Sequence, residues 1–143
     1  MANTLYTSFK TNLMKKVLDL VNDNFKIALF TALTITPADT TYGGLTGATE
    51  TTNGAGSAYT AGGLALSGLG VSASSTTAVW TSSVNPSWTT ATFSATYAVI
   101  YDTSVSNDLV GVLDFGSSQS VSAGTFTISW ATSPVAGSIL TLA

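Results

Sequence analysis

From Leu5 to Val21 the apolar positions Leu5, Phe9, Leu13, Val17 and Leu20, with Tyr6 and Val21 alongside, recur every three to four residues. Lys10, Lys15 and Lys16 fall between them. The spacing predicts one amphipathic helix over residues 3–22, capped by Asn3 or Thr4 and stopped by the polar run from Asn22 to Asn24. Its stripe is expected to pack on the protein's own sheet. A partner groove or a membrane surface would use the same stripe, but three lysines on a short polar face are few for an interfacial helix.

At Phe25 the period changes from 3.6 to 2. Phe25, Ile27 and Leu29 alternate with Lys26, Ala28 and Phe30, which predicts a first strand over Phe25 to Thr31. Residues 34–58 follow with no regular period, broken by Pro37, Gly43, Gly44, Gly47, Gly54 and Gly56. A loop of that length is expected to be functional, and it is the best candidate for an arm that contacts a neighbour. Gly62-Gly63 lacks the lysine and the strand-to-helix context of a phosphate cradle, and predicts a bulge or tight turn. Val71 to Trp80 reads as another strand, and Asn85-Pro86 as a turn.

The strongest pattern lies between Trp88 and Phe115. Phe93, Ala95, Tyr97, Val99 and Tyr101 alternate with Thr92 to Ile100, and Leu109, Gly111, Leu113 and Phe115 alternate with Val110 to Asp114. Asp102 to Asp108, DTSVSND, supplies the turn of a central hairpin. Gly116 to Gly124 reads as a polar connection, Thr125 to Trp130 as a strand, and Ser138 to Leu142 as the last short strand. The expected fold is mainly β, an antiparallel β-sandwich or barrel with one N-terminal amphipathic α-helix. It is a single domain over residues 1–143, with the sandwich spanning 25–143.

Composition removes most chemistry. The chain has no cysteine, no histidine and no arginine, and its net charge is -3. Thiolate metal sites, Ser-His catalysis and a basic nucleic-acid footprint are therefore not expected. No Ser or Thr sits in an S-x-x-K context, so paired carboxylates are the remaining acid–base option. Of Asp39, Glu50, Asp102, Asp108 and Asp114, the pair Asp102 and Asp108 brackets one loop, and turn formation on a solvated surface explains both. Calcium held by Asp102, Asn107 and Asp108 lacks EF-hand spacing. Tyr42, Tyr59, Trp80 or Trp88 could stack on sugars, although burial in strands is the default for such residues. No catalytic, cofactor-binding or metal-binding residue is expected.

Only 8% of residues are charged, and none lies between Thr51 and Tyr101. An average globular chain carries about 25%. A surface so poor in charge suggests that other subunits cover much of it, and so a homo-oligomer. No stretch reaches the roughly 20 apolar residues of a membrane span, and Asp19 with the lysines before it interrupts any signal-peptide core.

The opening helix, FKIALFT, the AYTAGG phrase, WTTATFSATYAVIYD, LVGVLDFGSSQSVSAGTFTISW and the apolar end SILTLA resemble together, over nearly the whole length, a group of tailed-bacteriophage virion structural proteins. These are small β-rich particle components. The resemblance implies a non-enzymatic role in a virion, made in the host cytoplasm. The role it favours is capsid decoration, a cement bound to itself, as a trimer if it is a decoration protein, and to the major capsid protein or other virion proteins. No nucleic acid, membrane or cofactor is implied. A neck or tail ring subunit would share the composition, and a carbohydrate- or receptor-binding sandwich is the alternative of another class. The resemblance also implies a basic residue near Thr96, which this chain lacks.

Overall fold

A computed structural model describes residues 3–52 and 58–143. In chain order the elements are β1 (Thr4–Leu5), α1 (Thr7–Met14), β2 (Phe25–Ala32), β3 (Thr49–Glu50), β4 (Leu64–Ala65), β5 (Leu69–Ser74), β6 (Thr77–Ser82), β7 (Ser87–Asp102), β8 (Asp108–Thr127) and β9 (Ser138–Leu142). A 3-10 turn lies at Tyr42–Gly44. In the larger sheet β1, β8, β7, β2 and β3 lie side by side, with β4 also on β2. The smaller sheet runs β5, β6, β9. Every pairing is antiparallel. The mainly β fold with one N-terminal helix is the one the sequence predicts, with the larger sheet curled into a half-barrel.

The two-residue period of β2 explains how the larger sheet is buried on both faces. Phe25, Ile27 and Leu29 join Ile100 and Ala98 in the core that also takes in Trp80 of the smaller sheet. Ala28 and Phe30 point the other way, into a second cluster with Tyr6, Leu33, Val99, Tyr101, Leu109 and Val112. Phe25 and Trp80 meet edge to face with ring centroids 5.0 Å apart. The Trp80 indole N–H also donates to Leu20 O at 2.7 Å, which ties the smaller sheet to the chain entering β2.

Four expectations about element boundaries are corrected. The helix is the eight-residue α1, not 3–22. Thr4 and Leu5 pair with Val112 and Gly111 as a strand. Beyond Met14 the chain leaves the helix at Lys16, whose φ is 60°. The Asp19 carboxylate then accepts the backbone N–H groups of Val21 and Asn22, the local bonding that competes with helix. Phe9 and Leu18 are buried, yet Val17 and Val21 are 45% and 47% exposed, so the helical period did not carry past the first two turns.

Val71 to Trp80 is a hairpin, β5 and β6, turning at Ser75 with φ 55°. Gly116 to Gly124 is not a connection, because β8 extends from Asp108 to Thr127 and, past bulges at Phe115 to Ser118 and at Ser122 to Ala123, pairs with β7 as far as Ser87 opposite Thr127. Its Ser-rich middle shows no alternation because most of it is exposed. The strand expected over Thr125 to Trp130 is the end of β8, which stops at Thr127. Left-handed residues at Thr90 (φ 53°) and Ala123 (φ 46°) sit among register shifts of this ribbon, and such bulges bend it over the core.

Residues 34–52 of the expected loop fold back on their own sheet, and residues 53–57 lie outside the described residues. Ile35, Tyr42 and Leu45 pack against the second cluster. The region is therefore packed in part on its own chain. Gly62 and Gly63 form the expected tight turn, with φ 91° and 78°. A side chain on Gly63 would put Cβ 2.0 Å from Ile27 O, so glycine is required by the close approach of the turn to β2.

Candidate functional site

Three polar or open places in the fold could carry function. The first surrounds Glu50, which β3 holds opposite Phe30. Its carboxylate accepts the Tyr42 hydroxyl at 2.6 Å, the Tyr59 hydroxyl at 2.6 Å and the Gly62 N–H at 2.6 Å. Tyr101 donates to Gly62 O at 2.7 Å and stacks on Tyr42 with centroids 4.3 Å apart. Burial first, and the Glu50 carboxylate after it, hold the Tyr42 and Tyr59 phenols above their usual range. Protonated phenols donating to one carboxylate make a strut between four segments. The cluster leaves Glu50 no free oxygen with which to act on a ligand.

The second place is the hairpin end. Asp102 and Asp108 are directly opposite each other, and both are buried, at 0% and 6% exposure, which corrects the expectation of a solvated surface. Asp102 does form the turn, accepting the Ser104 N–H at 2.7 Å, but its other oxygen has no hydrogen-bond partner. Asp108 accepts the Asn12 side-chain amide at 2.7 Å, and so ties α1 to the hairpin. Asn107 is exposed, with φ 57°, and points to no shared site. Among the described residues no group of three or more acidic side chains is placed to hold a metal.

Burial pushes the Asp102 carboxyl from 3.8 up to about 6, and the Asp23 carboxylate beside it adds to the rise. The folded protein therefore keeps a proton that the unfolded chain has released over that interval. Stability from this group is full below about pH 4 and is lost as pH rises through about 6. Asp102→Asn, whose amide can donate to Asp23, is expected to flatten the dependence of the melting midpoint on pH between 4 and 7, and to raise stability at pH 7.5. An unchanged slope would refute the reading.

The aromatic candidates are packed away. Tyr59, Trp80 and Trp88 are each at most 3% exposed, and Tyr42 lies flat on Tyr101. Tyr59, Trp88, Phe93 and Phe126 form one aromatic run inside the curl. Tyr59, Trp80 and Trp88 therefore have no face open to a sugar ring, and half-buried Tyr42 has one face covered by Tyr101.

The third place is the outer edge of β8. On its inner side β8 pairs with β7 except where Phe115 to Ser118 and Ser122 to Ala123 bulge out of the ladder, and on its outer side it pairs with β1 at Gly111 and Val112 and bridges Thr41 at Asp108. Asn3 Oδ1 then accepts the Asp114 N–H. From Gly116 to Thr127 the outer edge has no strand partner among the described residues, and Gly116 to Ser120 are all exposed. Beside it lies a cleft of about 640 Å³, lined by Phe115, Gln119, Phe126, Trp130 and Ile139 among others, between the edge of β8 and that of β9. No charged residue occurs from Phe115 to Ala143. Sequence reasoning missed this edge because it read Gly116 to Gly124 as a loop; the absence of proline from that stretch was the available signal.

No helix among the described residues is long and apolar enough to cross a membrane. No protein-family model, curated protein or solved structure matches this chain.

Proposed function

We propose that this chain is a non-enzymatic structural subunit of a bacteriophage virion, most specifically a capsid decoration protein that cements the shell by contacts with its own copies and with the major capsid protein. The observation that carries the reading is the uncharged, unpaired edge of β8 and its apolar cleft. A protein that works alone in water usually guards such an edge with lysine, proline, a covering loop or bulges, and of these Gly116 to Thr127 has only the bulges. Apolar side chains left in water add to it: Met14 is 90% exposed, Val71 55% and Leu142 47%. The virion assignment rests on the resemblance of the sequence phrases, and the cementing role on the need of these surfaces for neighbours.

A subunit bound to the assembled shell stabilises it in proportion to occupancy, by mass action. Particles lacking the protein are expected to assemble but to rupture at lower temperature, and adding purified protein back is expected to restore the rupture temperature. Depleted particles as heat-resistant as complete ones would reject cementing. Depleted particles without tails would move the chain to the neck.

A further inference from the structure

We propose that Asp23 and Asp102 hold a calcium ion between them, one per chain, where the segment entering β2 meets the hairpin end of β7. The site is independent of the structural role proposed above. Phe25 stands opposite Asp102 in the ladder, and just before it Asn24 clamps the two segments together. Asn24 O accepts the Thr103 N–H and the Thr103 hydroxyl, each at 2.8 Å, and the Asn24 N–H donates to Ser104 Oγ at 2.9 Å. Asp102 is 0% exposed; its Oδ1 accepts the Ser104 N–H, and its Oδ2 has no hydrogen-bond partner among the described residues. The side chain that reaches this carboxyl is that of Asp23. Asp23 is half-buried, and one of its oxygens accepts the Asp19 N–H at 2.6 Å.

Two carboxylates side by side away from water need a proton or a cation between them, since a buried anion without a partner is costly. Below about pH 6 the proton on Asp102 fills that need. Above it no positive side chain is at hand. Lys26 follows Phe25 on β2 opposite Tyr101, and so projects from the other face of the sheet. Lys16 acts on Asp19 rather than on this pair. The neighbouring carboxylates are engaged elsewhere: Asp19 accepts the Val21 and Asn22 N–H groups, and Asp108, opposite Asp102 on β8, accepts the Asn12 amide. The donors are oxygen alone, and the chain has no histidine or cysteine, so a hard cation fits and a transition metal does not. Calcium accepts an irregular set of oxygens, whereas magnesium demands an octahedron and parts reluctantly with its water, which the enclosed Oδ2 does not suit. No third acidic side chain joins the pair among the described residues, so water reaching Asp23 and main-chain oxygens complete the coordination. So few charged ligands imply a dissociation constant of about 0.1 to 1 mM.

Calcium chloride titrated into the full chain, first stripped with chelator, is expected at about pH 7.5 to give saturable backbone amide shifts at Asp23, Asp102 and Ser104, with one ion per chain. Asp23→Asn and Asp102→Asn are each expected to weaken binding by about tenfold or more. Asp114→Asn, which leaves both carboxylates in place, is expected to leave it unchanged. Magnesium at the same concentration is expected to shift these amides far less. At about pH 5, where Asp102 keeps its proton, calcium binding is expected to weaken by about tenfold. Asp102→Asn is expected to be more stable than wild type in chelator, so its loss of binding is not a loss of the fold. No saturable shift below about 10 mM calcium, shifts centred on Asp39 or Asp114 instead, an equal response to magnesium, or binding indifferent to both variants would overturn the inference.

Discussion

Replacing Glu50 by alanine is expected to cost about 2–3 kcal/mol, the range for losing hydrogen bonds to a charged group and leaving their neutral donors short of a partner. Glu50 joins β3 to Tyr42, Tyr59 and the turn at Gly62 through three hydrogen bonds of 2.6 Å. The variant leaves the Tyr59 hydroxyl, on a residue 1% exposed, with its Glu50 bond removed, and loosens the Tyr42 ring that covers Tyr101. The damage is expected to be local before it is global. The Thr34 N–H bond to Thr46 O closes the covering segment, and amide exchange there is expected to accelerate more than exchange in β7. Glu50→Gln, which keeps the shape and one strong acceptor, is expected to lose roughly half as much. Denaturant unfolding with exchange measured by residue checks both, and a Glu50→Ala midpoint equal to wild type would remove the strut from the stability of the fold.

The second large effect belongs to Phe9. Its ring, 1% exposed, is the buried anchor of an eight-residue helix, a length well below that at which helices hold themselves in water. Phe9→Ala is expected to cost about 3–5 kcal/mol from lost transfer energy plus the cavity left among the core side chains. Because Asn12 reaches Asp108 from the same helix, detaching α1 also removes that hydrogen bond from a buried carboxylate. Met14→Ala, at a side chain 90% exposed, is expected to stay within about 0.5 kcal/mol. Thermal melts of the two variants side by side decide the matter. An unperturbed midpoint for Phe9→Ala would mean that the helix is not anchored through this ring.

The hairpin turn illustrates how residue chemistry and residue environment separate. DTSVSND announced a turn because Asp, Ser and Asn bond their own backbone, and Asp102 does so with Ser104. That Asp102 is also wholly buried beside Asp23 was not legible. Local turn chemistry says nothing about which distant segment will cover the turn.

The alternating residues of Phe25 to Phe30 and Phe93 to Tyr101 determined by themselves that the chain is mainly β. A period of two fixes which side chains share a face, whatever packs on them. The same local logic placed a helix at the start, the Gly62-Gly63 turn and the last strand. Tertiary structure alone decided the rest, because each remaining question depends on partners far apart in sequence. The helix begins only at Thr7 because Thr4 and Leu5 are taken by β8, and it ends at Met14 because Lys16 and Asp19 turn the chain toward β2. Residues 34–52 lie partly over their own sheet because Tyr42 finds Tyr101 and Glu50. Gln119 to Val121, with no apolar period to betray them, belong to a strand because β7 is long enough to pair with them, and the outer edge beyond is open because β1 pairs only at Gly111 and Val112.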